Sequence, residues 1–167
     1  MAQKFLLQLK KDYIIPKIMV EIGTEGKMKT QEVIELVNQY SEKFRGQNLE
    51  NFEIGQKYFL FPNSEDEIKS GWPKQWQFCG SAGVYLFIDE NDEVIYVGET
   101  THFGNRFGSY FANNDGKCSI KNSWNSTPLS VVPIKVPQDS TFERLALEEF
   151  LIKKVKTTDN KKFNYNL

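Results

Sequence analysis

Apolar positions change their period several times along the chain. Val33, Val37, Tyr40 and Phe44 recur at helical spacing on one stripe, and Thr30 is placed to cap that helix. Upstream, an apolar run at 13–22 and a glycine-containing break at 23–26 predict a preceding helix. Two short helices joined by a turn either present a recognition helix to DNA or pack on a neighbouring domain. Residues 46–80 read as irregular, with a short strand at 57–61, an acidic turn at 62–67, and Trp72 and Trp76 placed to fill a domain seam or to stack on bases.

Past Gly83 the pattern becomes β-rich. Runs at 84–88 and 93–97, separated by Asp89-Glu90-Asn91-Asp92, predict a hairpin. A turn centred between Glu90 and Asn91 sets Tyr85 directly across from Tyr96, so two phenols share one face. A short helix at 105–112 puts Arg106 and Tyr110 one turn apart. The stretch 129–136 reads as a strand in which Pro133 marks an edge or a bulge. A helix follows, with Ser140 and Glu143 spaced as a capping box. Phe142, Leu145, Ala146, Leu147, Phe150, Leu151, Ile152 and Val155 make it apolar nearly all round, which predicts a central helix. The expected architecture is α+β: a small, mainly antiparallel sheet flanked by helices over 80–167, with an N-terminal helical extension over 1–79.

Composition narrows the class. The chain has 167 residues, 40% hydrophobic and 26% charged, as in an ordinary globular protein. No apolar run approaches the roughly 18 residues of a membrane span, and lysines interrupt the N-terminus too early for a signal peptide, so a cytoplasmic protein with no membrane partner is expected. Cys79 and Cys118 lack CxxC spacing and His102 is the single histidine, which makes neither a disulfide framework nor a zinc site. A net charge of −1 argues against a strongly basic nucleic-acid coat. The distribution is uneven: residues 81–140 carry 4 basic and 7 acidic side chains, 141–167 carry 6 and 4. Lys153 and Lys154 in that last segment are candidate backbone contacts, as are Lys117 and Lys121 in the polar stretch 113–128, which also holds Trp124; a solvated surface is the alternative for both.

Chemistry concentrates on two adjacent glutamates. Glu149 has Lys153 four residues on, a favourable surface pair. Glu148 has Leu145, Leu151, Ile152 and Val155 as helical neighbours, with Arg144 as the only cation, one turn back. A carboxylate in that setting is either paired with Arg144 or free to ligate a cation.

Gly83-Val84-Tyr85, Tyr96-Val97-Gly98, Arg106 with Tyr110, Glu148, and Tyr165-Asn166 occur in the order of a known set, and by them the chain resembles the GIY-YIG nuclease superfamily over about half its length. The resemblance implies paired motif tyrosines in Tyr85 and Tyr96, a helical arginine in Arg106, its partner in Tyr110, a metal-binding carboxylate in Glu148 and a late asparagine in Asn166. It implies one divalent cation, Mg²⁺ with Mn²⁺ as the substitute, beside an arginine that offsets charge on the phosphoryl oxygens. The chain departs from the pattern at Glu99, where many members carry a lysine. An acidic neighbour raises a phenol's pKa, which counts against Tyr96 as a base; Glu99 then helps hold metal or water, or His102 shares the base role.

The expected function is a metal-dependent endonuclease acting on DNA, of restriction-like or mobile-element type. The competing expectation is a catalytically weak member of the fold serving as a nucleic-acid- or protein-binding module. RNA has the same phosphodiester chemistry, and a homodimer would let a single-site enzyme cut both strands.

Overall fold

The computed structural model describes residues 27–60, 76–114, 117–120, 124–157 and 159–160, with 111–114 and 117–120 as backbone alone. The apolar run at 13–22, the turn at 62–67, Trp72, Lys121, Tyr165 and Asn166 lie outside them. In chain order the elements are α1 (Thr30–Phe44), β1 (Glu53–Ile54), β2 (Tyr58–Phe59), β3 (Gly83–Ile88), β4 (Val94–Thr100), α2 (Phe103–Tyr110), β5 (Phe111–Asn114), β6 (Lys117–Ile120), β7 (Ser130–Lys135) and α3 (Glu143–Val155), with a 3₁₀ turn at Gln138–Ser140. The main sheet runs β1-β7-β3-β4, with β2 also on β7; every pairing is antiparallel, and β5 and β6 form a separate ribbon. This is the α+β arrangement expected from the pattern.

Strand β3 is buried along its whole length, which is why it reads as an unbroken apolar run. Val84, Leu86 and Ile88 face α1 and α3, meeting Val33, Leu36, Val37, Leu147, Leu151 and Val155. Tyr85 and Phe87 face the other way, into Tyr58, Leu60, Phe103, Phe107 and a rim of Trp76, Tyr96, Tyr110 and Trp124. Trp76 is thus a packing residue, 5.0 Å from the Tyr58 ring and 4.9 Å from that of Phe107.

Several local expectations change. Tyr85 pairs with Gly98, and Tyr96 with Phe87, because the ladder shifts between Phe87 and Ile88. Ile95 is the extra residue of a bulge, and that bulge keeps Tyr96 on the face of Tyr85. Pro133 lies in an interior strand. Its carbonyl takes the Gly55 amide at 2.8 Å, and the N–H it lacks would be needed where the neighbouring chain parts into β1 and β2, so no buried donor is lost. Thr30 does not cap α1: its hydroxyl donates to Asp92 in the hairpin turn at 2.7 Å. Phe44 falls off the buried stripe, which runs through Val33, Leu36, Val37 and Tyr40. Helix α2 starts two residues earlier than expected and stops at Tyr110, and the polar stretch beyond it contains the β5–β6 ribbon.

Helix α3 differs most. Only Glu143, Leu147, Leu151 and Val155 are buried, while Phe142 is 70% and Leu145 53% exposed, so it flanks the sheet rather than filling the centre. The expected capping box is absent. Glu143 is instead gripped by Arg45, whose Nε lies 3.1 and 3.0 Å from its two carboxylate oxygens. A bidentate, nearly buried guanidinium satisfies that carboxylate more fully than one backbone amide would.

Candidate active site

Four elements, β3, β4, α2 and α3, bring the chemistry together. Tyr85 is buried in mid-β3, and its ring lies 6.1 Å from that of Tyr96, 5.5 Å from Phe107 and 6.2 Å from Tyr110. Glycine is required opposite it: a Cβ at Gly98 would stand 2.5 Å from Tyr85 Cζ and Oη and 2.7 Å from Tyr96 Cε1. Helix α2 supplies Tyr110, whose hydroxyl is 3.2 Å from that of Tyr85, and Arg106 one turn before it. From α3 comes Glu148, whose charge is felt by Tyr96.

Burial and the crowding of phenols decide the protonation states. Tyr85 is pushed far above its ordinary value by burial, then by Tyr96 and Tyr110, with Arg106 opposing. Tyr96 is also raised, by burial first, then by Tyr110 and Glu148. The larger acidic influence on Tyr96 is thus Glu148, ahead of Glu99, its nearer neighbour in sequence. Arg106 is held charged above its ordinary value: burial opposes the charge, but Tyr85, Tyr110, Glu99 and Tyr96 outweigh it. Burial, followed by the nearby Glu99 charge, pushes Glu148 up to about 7, against the Glu99 amide, Arg106 and Arg144.

Glu99 points to the α3 side of the sheet and accepts from Arg144 Nε at 2.7 Å. The alternative of a Glu148–Arg144 ion pair is thus not realised, because Arg144 turns its Nε to Glu99 instead. His102 is occupied too: its Nδ1 accepts from the Asn105 amide at 3.1 Å, capping α2, and its backbone amide donates to Thr100 Oγ1 at 3.0 Å. Among the described residues no cluster of three His, Cys, Asp or Glu forms. What remains for a divalent cation is Glu148, half-buried, without an ion-pair partner among the described residues, and beside a second carboxylate. An uncompensated oxygen ligand of this kind fits a hard cation that completes its shell with water and phosphate.

The lysines divide. Lys153 pairs with Glu149 at 2.7 Å and lies about 140° round the helix from Glu148, so it faces away from the cluster. Lys154 is exposed on the last turn of α3, and Lys117 belongs to β6. One contributor was not foreseen. Asn160 is buried and clasps Val97 on the open edge of β4, its Oδ1 taking the amide at 2.7 Å and its Nδ2 donating to the carbonyl at 2.6 Å. Thr157 donates to the same Oδ1. Nothing local in Thr-Thr-Asp-Asn signals a partner 63 positions away. Trp124 belongs by sequence to a polar stretch, yet its ring covers Tyr96 at 5.4 Å and Phe87 at 5.2 Å, and Asp159 holds its loop through the Asn125 amide at 2.8 Å.

Grouped phenols, a guanidinium and a carboxylate with a raised pKa suit hydrolysis of an anionic ester. The chain is similar to UvrABC system protein C of Prochlorococcus marinus subsp. pastoris, 35% identical over 121 residues, covering 69% of this chain and 17% of that relative. The protein of the same name from Koribacter versatilis is 39% identical over 80 residues, 48% of this chain and 13% of the relative. That of Carboxydothermus hydrogenoformans is 50% identical over 40 residues, 24% and 7% of the two chains. The chain thus spans less than a fifth of the length of these curated relatives. The model of the GIY-YIG catalytic domain matches residues 81–164, the segment that carries β3, β4, α2 and α3 with the whole tyrosine, arginine and glutamate cluster, and the chain belongs to the GIY-YIG family with an endonuclease domain of that type.

Proposed function

We propose that this protein is a metal-dependent endonuclease that hydrolyses phosphodiester bonds of DNA, restriction-like or mobile-element in type. The observation that carries this reading is Glu148, a half-buried carboxylate without an ion pair among the described residues, in one cluster with Arg106, Tyr85, Tyr96 and Tyr110. Glu148 would hold the divalent cation, Mg²⁺ by its preference for oxygen and water ligands; when bound, the ion supplies positive charge for the phosphoryl and departing oxygens. Arg106, held charged, offsets the charge that grows on the phosphate in the transition state. Tyr85 and Tyr96, both raised, stay protonated and act by hydrogen bonding. Tyr96, on the rim, orients the attacking water, while Tyr85 and Tyr110 hold each other and the arginine. Asn160 positions Tyr96 by fixing its strand, and Asn166 is the further asparagine that the resemblance assigns to the site. We place the protein in the cytoplasm, with its substrate.

The test is incubation with supercoiled plasmid and with single- and double-stranded DNA and RNA oligonucleotides, in Mg²⁺, Mn²⁺ or EDTA. Metal-dependent cutting of DNA, lost in folded Glu148→Ala and Arg106→Ala variants, is expected; the RNA substrates and sedimentation of the complex decide substrate class and stoichiometry. Binding of DNA without cutting under any metal would replace the enzyme with a binding module. The names of the relatives favour a second setting, in which the nuclease works as one component of a multi-protein system, and recovery of cutting only with added partners would support it.

A further inference from the structure

We propose that Arg144 is a second phosphate-binding arginine of the site and that Glu99 is the positioning residue that aims it. The inference rests on the nuclease reading above and adds a substrate contact to it. Arg144 stands one turn before Glu148 on α3, so the two side chains leave the same flank of the helix. Its guanidinium is fixed at two points. Nε donates to Glu99 Oε2 at 2.7 Å, and Nη1 donates to the Thr141 carbonyl at 2.8 Å. Nη2 has no partner among the described residues, and the side chain is 19% exposed.

A guanidinium has five N–H donors, and this one spends two on the protein. The rest have no partner among the described residues, and Glu99, which holds Arg144, also acts through its charge on Arg106. The charges of both arginines act on Glu148, and Arg144 stands one turn before it on the same helix. A nucleic-acid strand crossing that carboxylate presents a phosphate on either side of the one being cut. Arg106 serves the scissile phosphate, and Arg144, on the α3 side, meets a neighbouring one. This gives Glu99 a definite role, because a carboxylate on β4 orients the long α3 side chain in advance, so that less rotamer entropy is lost when phosphate binds.

The competing account is that Arg144 only neutralises Glu99. The two accounts part in the double variant. Cleavage of a defined duplex is measured for wild type, Arg144→Gln, Arg144→Lys, Glu99→Gln and Glu99→Gln/Arg144→Gln, each checked for folding by circular dichroism. If Arg144 binds phosphate, Arg144→Gln raises KM and lowers kcat/KM on the order of 10- to 100-fold, lysine restores part of this, and the double variant is as impaired as Arg144→Gln alone. Return of the double variant to wild-type kcat/KM would overturn the proposal. A binding arm separates this outcome from failure of the nuclease reading. With Glu148→Gln protein, which keeps DNA intact, adding Arg144→Gln lowers the slope of log K against log salt by about one. If the wild type cuts nothing, the nuclease reading fails and that slope alone decides Arg144, an unchanged slope rejecting it.

Discussion

Glu148 shows how a single half-buried carboxylate can weigh against the fold. Its carboxyl sits at about 7 in the folded protein against an ordinary 4.5, with burial as the main cause and Glu99 as the second. The folded state therefore holds a proton that the unfolded chain releases, and the stability this group contributes is present below about 4.5 and lost as pH rises through about 7. Glu148→Gln should consequently be more stable than wild type at pH 8 in EDTA, by on the order of 1 kcal/mol once partial exposure is discounted, and no more stable at pH 4. Added Mg²⁺ should close the gap at pH 8 by stabilising only the wild type. Urea melts at the two pH values, with and without metal, check this; equal stabilities at pH 8 in EDTA would remove the case for an uncompensated carboxylate. Glycine tells a similar story at Gly98, where a motif position is reserved for the space that two phenols fill.

At the scale of elements, the arrangement depends on partners remote in sequence. Strand β4 is the edge of the sheet and carries Tyr96, Gly98 and Glu99; its outward groups are covered by the segment after α3, Asn160 on Val97 and the Asp159 amide on the Ile95 carbonyl at 3.2 Å. Asn160→Leu should cost about 2 to 4 kcal/mol, since two buried hydrogen bonds are lost and a backbone amide and carbonyl go unsatisfied. Hydrogen exchange should show the Val97 amide opening faster than its neighbours, with kcat falling before DNA affinity does. A variant that loses stability evenly across the sheet would mean that Asn160 does not act on the tyrosine strand in particular. The pairing of Arg45 with Glu143 likewise ties the end of α1 to the start of α3, and it displaced the capping box that the spacing of Ser140 and Glu143 suggested.

At the scale of the whole molecule, the family segment at 81–164 is not where the core ends. Helix α1 contributes Val33, Leu36, Val37 and Tyr40 to the same cluster as β3 and α3, and β1 and β2 pair with β7. A truncated protein beginning at Gly80 therefore exposes one face of the sheet and should lack a cooperative thermal transition and near-UV circular dichroism, whereas the full chain should show both. A sharp melt from the shorter form would place the boundary where the sequence pattern put it. No helix among the described residues is long and apolar enough to cross a membrane.

What the sequence determined by itself is local: the hairpin, the helical stretch at 30–44, the turn that joins Arg106 to Tyr110, and the Glu149–Lys153 pair all follow from periods of two and 3.6 residues. Only the tertiary structure decided the rest. The bulge at Ile95 reset the register, Pro133 found an interior place where a neighbouring strand parts, and Phe142 and Leu145 were left in solvent by a helix that buries a narrow stripe. Glu99 turned to Arg144, His102 to its own helix, and Asn160 to an edge strand. The physical reason is common to these cases. Backbone periodicity fixes which side a residue faces, but a buried charge, amide or proline takes whichever partner the packed chain brings within about 3 Å, and that choice is made across the fold.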